Sequence, residues 1–501
     1  MKKKRLLFIY GGFESYGIEY LSSYLKKYGI ESDLFFFSKL WNDSILYIPS
    51  LANIVDNIET ENLFEKIRKY QPIALCFSVV SNDFLWASSI AKTIKKEFPC
   101  MPIVFGGIHP TLVPKMVMKD GNIDFVCEGD GEETLRMIVE SIISGIPLYE
   151  IPNLWYRLGG KIISPNKFSY YDITRESITP NKEIFYKYAP YFRTAGTYMF
   201  TRGCYYRCSY CCHSALKKNH NIKFQNLSVE SAIDQLEEMK NLYSLKKIIF
   251  DDDLFIFDRE WSMKFLEEYR KKIGLPFFAV IHPLFVDEGI IYKIKESGCA
   301  KLEIAVQTFN EEIRKKVLYR NESDMKIKKA IKIIEKSGIE FNIQHIMGIP
   351  GTTIEDEKKA ALFYSKTNVK RIFSFFLTYY PGCAITQIAS KNGIISEKRL
   401  NEIYNGKVGS YEIDGDIPSD IIDDYKAMRL IFSMIPIFPG FVIRFFLRGE
   451  RFKSLSKFSV FFRLVDLVNT FFSMELTAKI YIKRYLYHIP RLIVNRLLKN
   501  F

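Results

Sequence analysis

Short apolar runs alternate with amphipathic, helix-period segments from Lys4 to Gly382. This rhythm restricts the fold more than any other feature, because strands joined through helices pair in parallel. "KRLLFIY" (Lys4 to Tyr10) reads as a strand buried on both faces. "GIEYLSSYLKKYGI" follows, with Ile18, Leu21, Tyr24 and Leu25 on one helical stripe. Gly29 closes it, and "ESDLFFF" reads as the next strand. After Asn62 the pattern returns, with strands at "IALCFSV", "PIVFGG" and "IDFVCEG". Residues 1–150 therefore predict a Rossmann-like α/β domain of the flavodoxin type.

In such sheets ligands sit beyond the carboxyl ends of the strands. Here those ends carry Gly11–Gly12, Ser78–Ser81, Gly106–Gly107–Ile108–His109 and Gly129–Asp130–Gly131–Glu132. No GxGxxG follows the first strand, which argues against a dinucleotide. Glycine at several ends instead lets a large flat ligand approach the backbone closely. Ser78, Gly106, Gly107 and Gly129 are the candidates to line it.

Residues 151–190 read as a linker with a hairpin, "NLWYRLGGKII". Residues 191–388 resume the alternation. "LKKIIFDDDLFIF" is a strand ending in Asp251, Asp252 and Asp253, and "LPFFAVIHP" ends at His282. "KLEIAVQTF" ends in Gln307 and Thr308, and Ser323 caps the helix after it. "IEFNIQHIMGIPG" and "VKRIFSFFLTYYPG" follow. This predicts a partial (β/α)6 barrel of the TIM type, with chemistry at the strand C-termini. Alternation along the aspartate run would turn Asp252 away from its two neighbours.

Residues 389–501 read as mainly helical and basic. The net charge is +14, and from Phe441 onward twelve Lys or Arg stand against three Asp or Glu. No nucleic-acid module accompanies that charge, so nucleic acid is disfavoured. Two readings remain. The aromatic and basic segments near Phe441 and from Leu476 to Leu498 lie on an anionic membrane surface, or they form a helical cap over the barrel. Pro436 and Pro439 interrupt the apolar run, and no unbroken stretch suits a spanning helix. The basic start breaks at Gly11 and reads as a strand, not a signal peptide. Scattered cysteines fit a reducing cytoplasm, with peripheral contact at the inner face of the membrane.

Four of the nine cysteines fall between Cys204 and Cys212. Cys204, Cys208 and Cys211 have the spacing C-x3-C-x2-C. Three thiolates on a short loop can hold three corners of a cubane and leave the fourth iron open. Structural zinc wants four ligands, and no second pair accompanies Cys212 or His213. Bacterial ferredoxins use a tighter run.

"RGCYYRCSYCCH" resembles the signature of radical S-adenosylmethionine (SAM) enzymes, with Tyr210 at the aromatic position. The resemblance covers about Tyr191 to Ile385. It implies that Cys204, Cys208 and Cys211 hold a [4Fe–4S] cluster whose open iron is chelated by SAM. One electron, from a partner such as flavodoxin or ferredoxin, then breaks the C5′–S bond. The resulting 5′-deoxyadenosyl radical takes hydrogen from an unactivated carbon. By the same resemblance Tyr210 lies near the adenine, and Asp252 or Asp253 accepts the SAM amino group. Gln307 and Thr308 meet the ribose or carboxylate, and Arg320 pairs with the carboxylate. Gly348 and Gly351 admit the adenine.

"YGIEYLSSYLKKYGIESDL", "SVVSNDFLWASSIAKTIKKEFP", "PIVFGGIHPT" and "IDFVCEGDGEETLRMI" resemble, in order, the cobalamin-binding domain of many radical SAM enzymes. One departure matters. The Asp-x-His-x-x-Gly loop that ligates cobalt in other cobalamin proteins is replaced by "GGFESYG", so the corrin is expected without that histidine. The order of parts resembles the cobalamin-dependent radical SAM class, which includes anaerobic ring cyclases and methyltransferases. The leading expectation is methyl transfer from SAM, through the corrin, to an unactivated carbon of a small or lipid-like substrate. Cyclisation, rearrangement or oxidation without methyl transfer is the alternative. A non-catalytic iron–sulfur redox or scaffold protein is the reading of another class.

Overall fold

The computed structural model describes residues 4–42, 48–175, 177–220, 223–456, 465 and 476–499. The first sheet contains β1 (Arg5–Gly11), β2 (Glu31–Phe37), β3 (Ala74–Ser78), β4 (Ile103–Gly106) and β5 (Phe125–Cys127). It continues through β6 (Leu154–Leu158) and β7 (Lys161–Ile163). The order is β2-β1-β3-β4-β5-β6-β7. The first five strands are parallel. β6 and β7 join antiparallel. The hairpin read as part of a linker thus extends this sheet. Leu154 and Tyr156 bury one side of β6 in the domain core, which gives the hairpin a reason to dock.

Both faces of β1 are covered, as its unbroken apolar run requires. Leu6 and Phe8 enter one core, and Leu7 and Ile9 enter the other. The helix Tyr16–Lys27 is capped by Ser15, whose side chain accepts from the Ile18 amide.

The second sheet is built from β8 (Gly196–Tyr198), β11 (Ile248–Phe250), β12 (Phe277–Ile281), β13 (Cys299–Gln307), β14 (Glu340–Met347) and β15 (Arg371–Phe376). Two short strands, β9 (Thr201–Arg202) and β10 (Gln225–Asn226), pair separately. The six main strands run parallel in chain order, with β8 and β15 at the edges. This is an incomplete barrel. Ser323, Asp258 and Asp287 cap three of its helices through side-chain hydrogen bonds.

The C-terminal region is helical. Helix Ile422–Met434 adds Tyr425, Met428, Ile431 and Phe432 to the barrel core. The helix Leu476–Lys499 instead packs on the first domain, where Ile480 enters its core. Arg484 is turned inward and donates to the Lys39 carbonyl. The Trp41 amide donates to the Tyr485 hydroxyl at 2.9 Å, and Tyr191 meets His488 at 3.1 Å. Ile480 also lines the barrel chamber beside Phe13 and Phe192. The helix is therefore a structural closure through Ile480 and Arg484, while Lys479, Lys483 and Arg491 stay exposed. No helix among the described residues is long and apolar enough to cross a membrane.

Candidate functional site

The cysteine loop leaves β9 through Gly203, whose φ of +79° favours glycine. Its far side is sewn to the barrel. The Ser209 amide donates to the Leu318 carbonyl at 3.1 Å, and the Ile385 amide donates to the Ser209 carbonyl at 3.0 Å. Cys208 is buried, and Cys204 and Cys211 are partly exposed. Burial pushes the Cys204 thiol up to about 12, with Cys211 and Cys208 adding to the rise. Burial raises Cys208 too, against the pull of Arg320. A hydrogen bond with Cys212, then burial, raises Cys211.

The three thiols therefore neighbour one another and hold protons that a metal must displace. Among the described residues, no three His, Cys, Asp or Glu converge as they would on a single ion. Three soft donors on one loop fit a cubane, which spreads its ligands over separate irons.

Arg320 is buried, not on the surface of a basic helix. It donates to the Tyr210 hydroxyl at 3.2 Å and to the Ala305 carbonyl at 2.7 Å. Glu322 pairs with it at 2.5 Å. Arg320 thereby ties the aromatic residue of the cysteine motif to β13. Gln307 has a left-handed φ of +69° where β13 slips register against β14. Its amide donates to Gln344 at 3.2 Å, and Gln344 donates in turn to Glu303. This ladder fixes which end of the Gln307 amide is spent. Thr308 is buried, and its carbonyl accepts from Arg314 at 2.5 Å. Gly348, with φ +76°, is roofed by Ile417; a Cβ there would lie 2.5 Å from Ile417 Cδ1.

The three aspartates part company. The Tyr16 hydroxyl donates to Asp251 at 3.1 Å. Asp252 is buried, and its Oδ1 accepts from the Phe200 amide (3.0 Å), the Thr201 amide (2.8 Å) and the Thr201 hydroxyl (2.6 Å). Its Oδ2 is buried without a hydrogen-bond partner. Asp253 pairs with His213 at 2.7 Å, and both line the cavity over the first domain. Asp252 thus braces the strand that leads into the cysteine loop, and Asp253 is the carboxylate that faces the cavity.

That cavity, about 470 Å³, touches Ser78, Gly106, Gly107 and Gly129 at the strand ends. It deepens between the sheet and its helices past Phe8, Cys76 and Leu135. Gly107 has φ +96°, and a Cβ there would sit 2.7 Å from the Val79 amide nitrogen. A second cavity of about 790 Å³ lies over Gly11, Gly12 and Ser81 and reaches Tyr210 and Cys212. Together they form a broad cradle with an apolar cleft, which fits a corrin and its nucleotide tail. His109 is buried, with its Nδ1 2.9 Å from Ser81 Oγ, and lines neither cavity.

Gly107→Ala should cost cobalamin binding directly. The added Cβ collides with backbone, and alanine resists that φ. We expect cobalt per chain to fall severalfold after reconstitution, with iron unchanged. Equal cobalt in both proteins would take Gly107 out of the cradle.

A third cavity of about 410 Å³ occupies the barrel lumen. Glu14, Asp251, Lys301, Glu303, Asn342 and Gln344 line it among Phe278, Phe373 and Ile480. Behind it Lys182 is buried between Glu19 at 2.7 Å and Glu14 at 3.6 Å. Sequence reasoning missed Glu14, Tyr16 and Lys182, because no local pattern links residues so far apart. His345 is a satisfied core residue, bound to Tyr364 (3.0 Å) and Glu357 (2.6 Å).

Residues 198–363 match the Radical SAM superfamily, and residues 9–139 match the B12 binding domain. An uncharacterized methyltransferase of Pyrococcus horikoshii is 23% identical over 356 residues, covering 70% of this chain and 76% of that protein. The anaerobic magnesium-protoporphyrin IX monomethyl ester cyclase of Rubrivivax gelatinosus is 22% identical over 375 residues, covering 70% of this chain and 64% of that protein. The structure of the cobalamin-dependent SAM radical enzyme OxsB, with aqua-cobalamin and SAM bound, superposes with a TM-score of 0.68. That match has 14% identity and covers 99% of this chain and 80% of OxsB.

Proposed function

The chain joins a B12-binding domain to a radical SAM domain, and from that premise we propose that it closes a ring or rearranges a small substrate after hydrogen abstraction, without net methyl transfer. When bound, SAM on the cluster supplies a hydrogen-abstracting 5′-deoxyadenosyl radical, and cobalamin supplies a reducible cobalt centre.

The observation that carries this reading is the partition between the cavities. Tyr16 lines both the strand-end cavity and the barrel lumen. Phe13 lines both the lumen and the larger cavity beside the cysteine loop. Tyr16 is held by its bond to Asp251, and its ring lies 4.9 Å from the Lys182 ammonium. A substrate in the lumen is screened from the two strand-end cavities by these two rings. Methyl transfer would need them to part. The likeness to a ring cyclase over 70% of the chain supports the same reading.

Within the lumen the chain's own groups orient a substrate. The Glu303–Gln344–Gln307 ladder fixes polar groups along two strands. Phe278, Phe373 and Ile480 give the lumen an apolar wall. Methyl transfer remains the second reading, favoured by the Pyrococcus relative that bears that description.

The two readings separate without knowledge of the substrate. The reconstituted enzyme is reduced with SAM carrying a deuterated methyl group, and the adenosyl products are counted. We expect 5′-deoxyadenosine to dominate, and S-adenosylhomocysteine to stay at the level of cluster-free protein. Stoichiometric S-adenosylhomocysteine would overturn the proposal in favour of methyl transfer.

A further inference from the structure

We infer that the corner spanning residues 437–451 is a docking surface for an anionic lipid bilayer. It begins where Pro436 and Pro439 break one helix and start the next. The short helix Gly440–Phe446 is anchored from beneath. Ile443 and Leu447 point into the barrel core, and the helix packs on Ile354–Tyr364 and Ile422–Met434. Packed this way, the helix turns its other face to solvent.

The outward face is apolar and large. Ile437 is 40% exposed, Phe438 42%, Phe441 66% and Phe445 49%. A folded protein gains nothing in water by presenting four such side chains together. Arginines interleave with them. Arg444, Arg448 and Arg451 are exposed, and the Arg451 guanidinium lies 3.9 Å over the Phe445 ring. From Ile437 to Arg451 the sequence has one acidic residue, Glu450, against Arg444, Arg448 and Arg451. Phenyl and aliphatic groups among arginines match the boundary between acyl chains and anionic headgroups.

Other occupants fit less well. A second copy of this chain in a two-fold contact would set this arginine-bearing patch against itself, with no carboxylates from Ile437 to Gly449 to balance the charge. For RNA, the four most prominent side chains offer no hydrogen-bonding group to a base. The excess of basic residues from Phe441 onward adds long-range attraction to an anionic surface.

The test is cosedimentation of the full-length, cluster-loaded protein with vesicles. One set is pure phosphatidylcholine, and the other contains equal parts phosphatidylcholine and phosphatidylglycerol. We expect sedimentation with the anionic vesicles only, weakening as salt rises. The paired change Phe441→Glu with Phe445→Glu should lower the bound fraction roughly tenfold, since it removes apolar insertion and adds repulsion. Arg444→Glu with Arg448→Glu is the independent pair, and it should also reduce binding. Iron content and thermal melting report that each variant is folded. Binding by both folded pairs equal to the starting protein overturns the inference. So does failure to bind anionic vesicles at low salt. Retention by single-stranded RNA or by an acidic redox protein, with no vesicle binding, would assign the surface to that partner instead.

Discussion

Protein carrying Cys208→Ala should fold, yet assemble no cluster that cleaves SAM. Cys208 is the buried member of the three-thiol loop and sits beside the Arg320 charge. Removing it leaves two thiols, too few to hold three corners of a cubane. The loop itself survives, because Ser209 is bonded to Leu318 and Ile385 through the backbone. The loss is therefore chemical and not a collapse. After anaerobic reconstitution we expect little iron and sulfide. Reductive formation of 5′-deoxyadenosine should fall by roughly three orders of magnitude or more, at least about 4 kcal/mol of barrier. Cys100→Ala, at an exposed cysteine far along the chain, is the control and should match the starting protein. Normal SAM cleavage by the Cys208 variant would sink the cluster assignment.

Asp252 gives the second large effect, and its two substitutions should diverge. Asp252→Ala removes the single oxygen that three donors share at Phe200 and Thr201. Those donors are buried, and leaving them unmet should cost about 3–5 kcal/mol. The strand into the cysteine loop loosens, so iron retention should drop along with SAM binding. Asp252→Asn keeps the accepting oxygen and should preserve both.

The pH dependence separates the pair further. Burial pushes Asp252 up to about 8 from an ordinary 3.8. The folded chain then keeps this proton across a range where the unfolded chain has lost it. The group's contribution to stability is complete below the unfolded value and is lost as pH rises toward about 8. Glu59, pushed up to about 7 by burial, tilts the protein the same way. The useful readout is therefore a difference. The melting temperature of cluster-free Asp252→Asn, relative to the parent, should rise from pH 5 to pH 8. A flat difference would mean that Asp252 is ionised in the fold. Full iron and an unchanged melt in Asp252→Ala would mean that it does not brace the loop.

Much of the architecture was legible in the linear chain. A strand buried on both faces announces itself as an unbroken apolar run, as in Leu6 to Ile9. The helix stop at Gly29 is a local signal too, since it turns the chain left-handed. The three-cysteine loop was equally plain, because its ligands fall within eight residues. The B12-binding and radical SAM domains rest on these short-range patterns, and both comparisons bear them out.

The rest depended on contacts between distant segments. The residues 154–163 look like any exposed hairpin until β5 offers them an edge. Arg320 looks like a surface arginine until Tyr210, Ala305 and Glu322 close around it. Alternation sets Asp252 apart from its neighbours, but only the surroundings make it a brace, Asp251 a partner of Tyr16 and Asp253 a cavity wall. The last helix could have lain free, but Arg484 and Ile480 turn inward and fasten it to the first domain. Periodicity and motif spacing determined which strands, helices and thiols exist, because those depend on neighbours in the chain. Which polar group faces a ligand was decided by burial and pairing across the fold, because desolvation and hydrogen bonding depend on neighbours in space.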